Sequence, residues 1–117
     1  MPGTVLIVED EFMIALDLQL LLERRGWRVI GPAATVASAL QLLEDETPTV
    51  ALLDVKLGGQ LVTPVAESLR AQDVPFALTS AYEDPERIAG KAVARAPNVG
   101  KPSTERRLLA TLEKLAA

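Results

Sequence analysis

What most constrains the fold of this chain is an alternation in which short aliphatic runs of strand length are separated by longer stretches of helical period. That order predicts a parallel sheet with helices packed against it, an α/β fold. The first run, Thr4-Val-Leu-Ile-Val8, is apolar almost throughout, as a strand covered on both faces must be. Thr49-Val-Ala-Leu-Leu53 and Phe76-Ala-Leu-Thr79 repeat the pattern. Trp27-Arg-Val-Ile30 is more amphipathic and suits a sheet edge, and a short fifth strand is expected around Asn98-Val99.

Helices fill the intervals. One is expected from about Glu11 to Arg25, with Met13, Leu16 and Leu20 in its apolar stripe and Gly26 as its stop. Thr35 is the expected N-cap of a second, which carries Val36, Ala39, Leu40 and Leu43 on one face. Thr63-Pro64 reads as an N-cap followed by proline at the first helical position, opening a third helix to about Ala71, and Asp84-Pro85 repeats that signal for a fourth. Gly90 weakens the fourth by about 1 kcal/mol relative to Ala. The last, from about Thr104 to Ala116, aligns Leu108, Leu112 and Leu115. Together these elements occupy the 117 residues, so one domain, 1–117, is expected, without linker or repeat.

In open α/β sheets, ligands bind beyond the carboxyl ends of the strands. The first strand is followed by Glu9-Asp10-Glu11, the third by Asp54, Lys56 and Gly58-Gly59, the fourth by Ser80 after Thr79, and the fifth by Lys101-Pro102. Ordinary roles exist for each: acids suit a helix start, Asp54 suits a turn, Ser80 can bridge a loop, and a lysine before proline is commonly solvated. Those roles do not explain why carboxylates, a hydroxyl and an ammonium should gather on one edge.

Composition narrows the chemistry of that edge. The chain contains no His and no Cys. This excludes disulfides, thiol nucleophiles, zinc sites built from imidazole or thiolate, and mechanisms that need an imidazole base. Two carboxylates about 4 Å apart repel by about 4 kcal/mol at an effective dielectric near 20, so Glu9, Asp10 and Asp54 require a counter-ion. A hard cation such as Mg²⁺ suits one or two direct carboxylates with water completing the shell, and with Lys101 it prepares the site for a phosphoryl group. The net charge is −4 and no Lys/Arg run exceeds two residues, which speaks against nucleic acid and membranes as partners. The longest apolar stretch, Phe12 to Leu16, is far short of the roughly 18 residues of a membrane span, and no basic segment leads into an apolar one, so a signal peptide is not expected. A cytoplasmic location is expected.

Four pieces in order, Val-Leu-Ile-Val-Glu9-Asp10-Glu11, Leu-Leu-Asp54-Val-Lys-Leu, Pro75-Phe-Ala-Leu-Thr-Ser80-Ala-Tyr82 and Lys101-Pro102, resemble the receiver domain of bacterial two-component response regulators. The resemblance runs from Thr4 to the last helix and implies a five-stranded parallel sheet in the order 2-1-3-4-5, with helices on both faces. It implies that Asp54 is the phosphoacceptor and that Glu9, Asp10, Asp54 and the backbone carbonyl of Lys56 hold Mg²⁺ or Mn²⁺. Ser80 matches the hydroxyl that binds a phosphoryl oxygen, Lys101 the lysine that pairs with the phosphate, and Lys101-Pro102 a cis peptide. A sensor histidine kinase or histidine phosphotransfer protein would donate the phosphoryl group. The product is a signalling domain that assists its own phosphorylation and dephosphorylation rather than an enzyme. A homodimer through the fourth helix, fifth strand and fifth helix is an implied possibility, with Arg106, Arg107 and Lys114 on the last helix open to a solvated role.

Three departures accompany the resemblance. The acid pair is Glu-Asp where Asp-Asp is commoner. Asn98 stands three residues before Lys101, where many receivers carry Tyr or Phe, so a switching role passes to Tyr82 or to none. Lys56 either tunes the phosphoryl lifetime or is solvated. Other phosphate chemistries fit less well: a P-loop needs Gly where Arg95 stands and a hydroxyl where Pro102 stands, and a haloacid-type phosphatase needs Asp where Lys56 stands. A stand-alone receiver is expected, with a pseudo-receiver that is never phosphorylated, or a fragment of a longer regulator, as the alternatives.

Overall fold

The computed structural model describes residues 2–101 and 104–117 and contains the expected alternation. Its elements are β1 (Thr4–Val8), α1 (Phe12–Arg24), β2 (Arg28–Ala33), α2 (Val36–Asp45), β3 (Val50–Leu53), β4 (Lys56–Leu57), β5 (Gln60–Leu61), α3 (Thr63–Ala71), β6 (Phe76–Leu78), α4 (Pro85–Ala89) and α5 (Glu105–Ala116), with a 3₁₀ turn at Lys91–Val93. The main sheet is parallel in the order β2-β1-β3-β6. This is the α/β receiver architecture implied by the resemblance, with one difference in strand count. The expected fifth strand is reduced to a single parallel bridge, Leu78 to Asn98, made by the bonds from Leu78 N to the Pro97 carbonyl and from Val99 N to the Leu78 carbonyl. A small antiparallel pair, β4 with β5, was not anticipated; Gly58, at φ +59°, supplies the left-handed residue that its two-residue turn requires.

Side-chain alternation sends each central strand to two cores. Leu6, Val8, Ala51, Leu53, Phe76 and Leu78 face the layer of α2, α3 and α4. Val5, Ile7, Val50, Leu52 and Ala77 face α1 and α5, where they meet Leu22, Leu108 and Leu112. Burial on both faces is the reason these strands are continuously apolar. The same packing places the residues after β1 and β3 side by side at one edge of the sheet.

Several local expectations are corrected. Thr63 is not the cap of α3 but its first residue, with Val62 as N-cap, and its hydroxyl donates instead to the carbonyl of Ala89 at 2.7 Å. In α1 the buried side chains are Ala15 and Leu22, while Met13 and Leu20 are exposed. The apolar stripe is wider than the face the sheet covers. β2 begins at Arg28, and Trp27 turns inward to the α1/α5 core. Gly31 in β2 has φ +89°, and a Cβ there would sit 2.7 Å from the amide nitrogen of Ala33, so only glycine fits. α4 ends after Ala89 at Gly90, whose φ of +83° stops it. The expected cap Thr35 accepts from the amide of Ser38 at 3.1 Å, and Thr104, where the last helix was expected to begin, is its N-cap, accepting from the amide of Arg107 at 3.2 Å.

Candidate functional site

Glu9 and Asp54 extend adjacent strands, and the backbone ladder fixes both. The amide of Glu9 donates to Ala33 and that of Asp54 to Val8, each at 2.9 Å. Glu9 is 2% exposed and Asp54 7%. Asp10 is exposed beside them, with its Oδ2 accepting from the amide of Gly58 at 2.7 Å, so the β4–β5 turn orients this carboxylate. One carboxylate oxygen from each of Glu9, Asp10 and Asp54 lies within 4.8 Å of the other two.

Lys101 closes the cluster. Its Nζ donates to Asp54 Oδ2 at 2.9 Å and to Glu9 Oε2 at 3.3 Å, and lies 3.3 Å from Glu11 Oε1. Sequence reasoning treated Glu11 only as a strand-end acid; its place beside Lys101 depends on the reach of two side chains that no motif encodes. Burial by itself would lower the pKa of Lys101, but the hydrogen bond and charge of Asp54, with Glu9, raise it above the ordinary lysine range. Burial pushes Glu9 up from 4.5 to about 7; the amide of Glu11 opposes that shift and the charge of Asp54 adds to it.

Glu9 Oε1 supplies the test of a bound cation. Among the described residues it is buried without a hydrogen-bond partner, and the nearby Lys101 ammonium at 3.2 Å is not aligned to donate to it. A buried carboxylate oxygen left unbonded is costly. An acidic pocket with an orphaned oxygen and only oxygen donors fits a hard divalent cation. Lys56 lies two residues beyond Asp54 with an exposed side chain at the rim.

Ser80 follows β6 and is 4% exposed. Its Oγ accepts from the amide of Tyr82 at 3.0 Å, while its own amide donates to Asn98 Oδ1 at 3.1 Å. Asp10, Asp54, Lys56, Ser80, Tyr82 and Lys101 border one depression of about 320 Å³. The sequence-derived residues therefore converge. Tyr82 is 42% exposed at its edge. The expected cis peptide Lys101-Pro102 lies outside the described residues; the cis peptide among them is Gly31-Pro32. Arg107 is not simply solvated, since its Nη2 donates to the carbonyl of Asn98 at 3.0 Å.

A doubly covered parallel sheet that gathers an acid cluster, a hydroxyl and a lysine at its carboxyl edge defines an α/β domain of the open-sheet class, with its polar groups where such sheets bind ligands. Comparison with known proteins gives the particular family. The chain belongs to the response regulator receiver domain family, whose model matches residues 5–113. It is 36% identical to the phyllosphere-induced regulator PhyR of Methylorubrum extorquens over 106 residues, covering 87% of this chain and 39% of that protein. It is 34% identical to the sensory transduction protein RegX3 of Mycolicibacterium smegmatis over 113 residues, 93% of this chain and 48% of the other. The chain spans less than half the length of the curated relatives it matches. Among solved structures, the response regulator PhyR from Brucella abortus superposes with a TM-score of 0.82 at 29% identity, over 99% of this chain and 48% of that one. A CheY-like receiver domain protein from Methanospirillum hungatei gives 0.85 at 25% identity, over 99% and 94%. Receiver domains bind Mg²⁺ in an acidic pocket of this kind and act in two-component signalling rather than as ordinary enzymes. No helix among the described residues is long and apolar enough to cross a membrane.

Proposed function

We propose that this receiver, as one unit over residues 1–117, accepts a phosphoryl group on Asp54 and signals through the resulting change in protein contacts. The observation that carries this reading is the Lys101 ammonium held 2.9 Å from Asp54 Oδ2 beside a buried Glu9 oxygen without a hydrogen-bond partner among the described residues. Lys101 binds one oxygen of Asp54 and leaves the lone pairs of the other for attack on phosphorus. The new bond is Asp54 Oδ to phosphorus; the bond that breaks joins phosphorus to the donor's imidazole nitrogen, which keeps the electron pair. Because these 117 residues contain no His, the donor imidazole lies outside them, on a sensor histidine kinase or a histidine phosphotransfer protein.

The residues suited to Mg²⁺, or Mn²⁺ in its place, are Glu9, Asp10 and Asp54, with the backbone carbonyl of Lys56 as a further oxygen. A bound cation there supplies charge compensation for the phosphoryl oxygens. Lys101 neutralises a second oxygen, and Ser80 donates its hydroxyl to a third. Once those contacts form, Ser80 and the loop to Tyr82 have partners they lacked before, and the population shifts toward the arrangement that keeps them. Lys56 at the rim tunes the access of water to the aspartyl phosphate. The surface of α4, the Asn98-Val99 segment and α5 is the candidate dimer face, and the cytoplasm is the compartment that supplies the donors. A receiver fold that binds partners without being phosphorylated is not favoured, since acceptor, acids, hydroxyl and lysine are all in place.

Incubation with Mg²⁺ and acetyl phosphate is expected to add the mass of one phosphoryl group, with none added to Asp54→Asn or in the presence of EDTA. Equal labelling of Asp54→Asn, or no labelling together with no binding of beryllofluoride, would overturn the reading.

A further inference from the structure

Both ends of the Asn98 carboxamide are engaged at one junction. Oδ1 accepts from the amide of Ser80 at 3.1 Å and from that of Gly100 at 3.0 Å, and Nδ2 donates to the carbonyl of Tyr82 at 3.2 Å. The bond to Gly100 is local, an Asx-type turn that orients the carboxamide. The other two cross to a different segment.

The backbone ladder shows why that crossing matters. Its last rungs are Leu78 N to the Pro97 carbonyl and Val99 N to the Leu78 carbonyl, both 2.8 Å. Beyond them, neither Ser80 nor Tyr82 is bonded to the backbone of the 98–100 segment among the described residues. Asn98 continues the ladder with its side chain, donor and acceptor both used, as a further peptide rung would. Ser80 is thereby fixed at its amide, and its Oγ, already accepting from Tyr82 N at 3.0 Å, has its hydroxyl hydrogen left to donate. At 4% exposure that hydroxyl has little access to bulk water, and these two bonds fix its oxygen while its hydrogen turns to meet an acceptor.

We propose that Asn98 is a positioning residue for phosphoryl capture, holding the 80–82 loop so that the Ser80 hydroxyl is aimed at the phosphoryl group on Asp54. This rests on the reading of Asp54 as phosphoacceptor and adds a residue that acts only through Ser80. An aspartate at this position keeps the acceptor for Ser80 N and Gly100 N but replaces the bond to Tyr82 with an oxygen facing that carbonyl. An alanine loses all three.

The test is a double-mutant cycle on beryllofluoride affinity in Mg²⁺, with Mg²⁺ affinity measured alongside. Asn98→Ala is expected to weaken beryllofluoride about tenfold, the order of one lost bond to a charged group. Ser80→Ala should lose about as much, and the double variant no more than Ser80→Ala alone. Asn98→Asp should recover to within about threefold of wild type, and Mg²⁺ affinity should stay within about twofold throughout. The proposal is overturned if Asn98→Ala binds like wild type, if its loss persists in full in the Ser80→Ala background, or if Mg²⁺ affinity falls in parallel. Should Asn98→Ala not fold, Asn98→Asp completes the same cycle: near-wild-type affinity supports the proposal, and a tenfold loss that persists with Ser80→Ala overturns it. If wild type itself binds no beryllofluoride and matches Asp54→Asn, the phosphoacceptor reading has failed, and this proposal with it.

Discussion

The two halves of the site are held by different kinds of bond. On the β1/β3 side, the acids sit at the ends of paired strands whose residues are almost all fully buried, and the amides of Glu9 and Asp54 are themselves rungs of the ladder. On the other side, one bridge replaces a strand, α4 is five residues long, and side chains hold the backbone. Thr63 bonds the Ala89 carbonyl, Arg70 bonds those of Ala92 and Ala94 while its guanidinium lies 5.0 Å from the Phe76 ring centroid, and Asn98 bonds the 80–82 loop. Backbone ladders open only with the core, whereas single side-chain bonds can be exchanged at small cost. The half that carries the acids is therefore the more firmly held, and the half that carries Ser80 is the one held by exchangeable bonds.

That contrast can be broken most severely from its rigid side. Leu52→Ala, at a position in β3 that is 1% exposed and faces the α1/α5 core, should lower unfolding free energy by about 2–5 kcal/mol in urea titrations. Loss of less than about 1 kcal/mol would show that the half called rigid here is loosely packed. Lys101→Met should slow labelling by acetyl phosphate by about 100-fold, as removal of one preorganised charge contact does, while leaving the fold intact by circular dichroism.

The pH dependence is smaller and tests the acids alone. Glu9 has a pKa of about 7 in the folded protein against 4.5 as the ordinary value, so the folded state binds its proton more tightly. In metal-free protein the stabilisation is complete below pH 4.5 and is lost as pH rises toward 7. Glu9→Gln should flatten that slope, by on the order of 1–2 kcal/mol at pH 8, in thermal melts with EDTA. The smallest effect belongs to the exchangeable side. Arg70→Met should cost about 1 kcal/mol and raise hydrogen exchange in residues 85–95 without changing it in β1 or β3. Equal acceleration in both regions would erase the distinction.

Sequence reading reached the same division. The central strands were legible because burial on both faces demands unbroken apolar runs, and Glu9, Asp10, Asp54, Ser80 and Lys101 were legible because they follow those runs. The periodicity of α1 misled, since Met13 and Leu20 satisfy the helical spacing yet face solvent. What stayed hidden was the response side. Asn98 read as a missing aromatic, because its three carboxamide bonds exist only once two distant segments are brought together. Gly58 stands in the sequence only as one of the residues that follow the third strand, and its amide contact with Asp10 follows from a hairpin too short to leave a periodic signal.

Trp27 gives the contrast a readout of its own. It is the sole tryptophan, 3% exposed, and packs in the core shared with Leu22, Leu108 and Leu112, on the face of the sheet away from α4. Its emission should stay blue while only the α4 region rearranges and turn red when the α1/α5 layer opens to water. The chain thus carries an intrinsic optical marker for one of its two layers, and a fluorescence melt lagging behind a far-ultraviolet one would separate the loosening of the other layer from collapse of the whole.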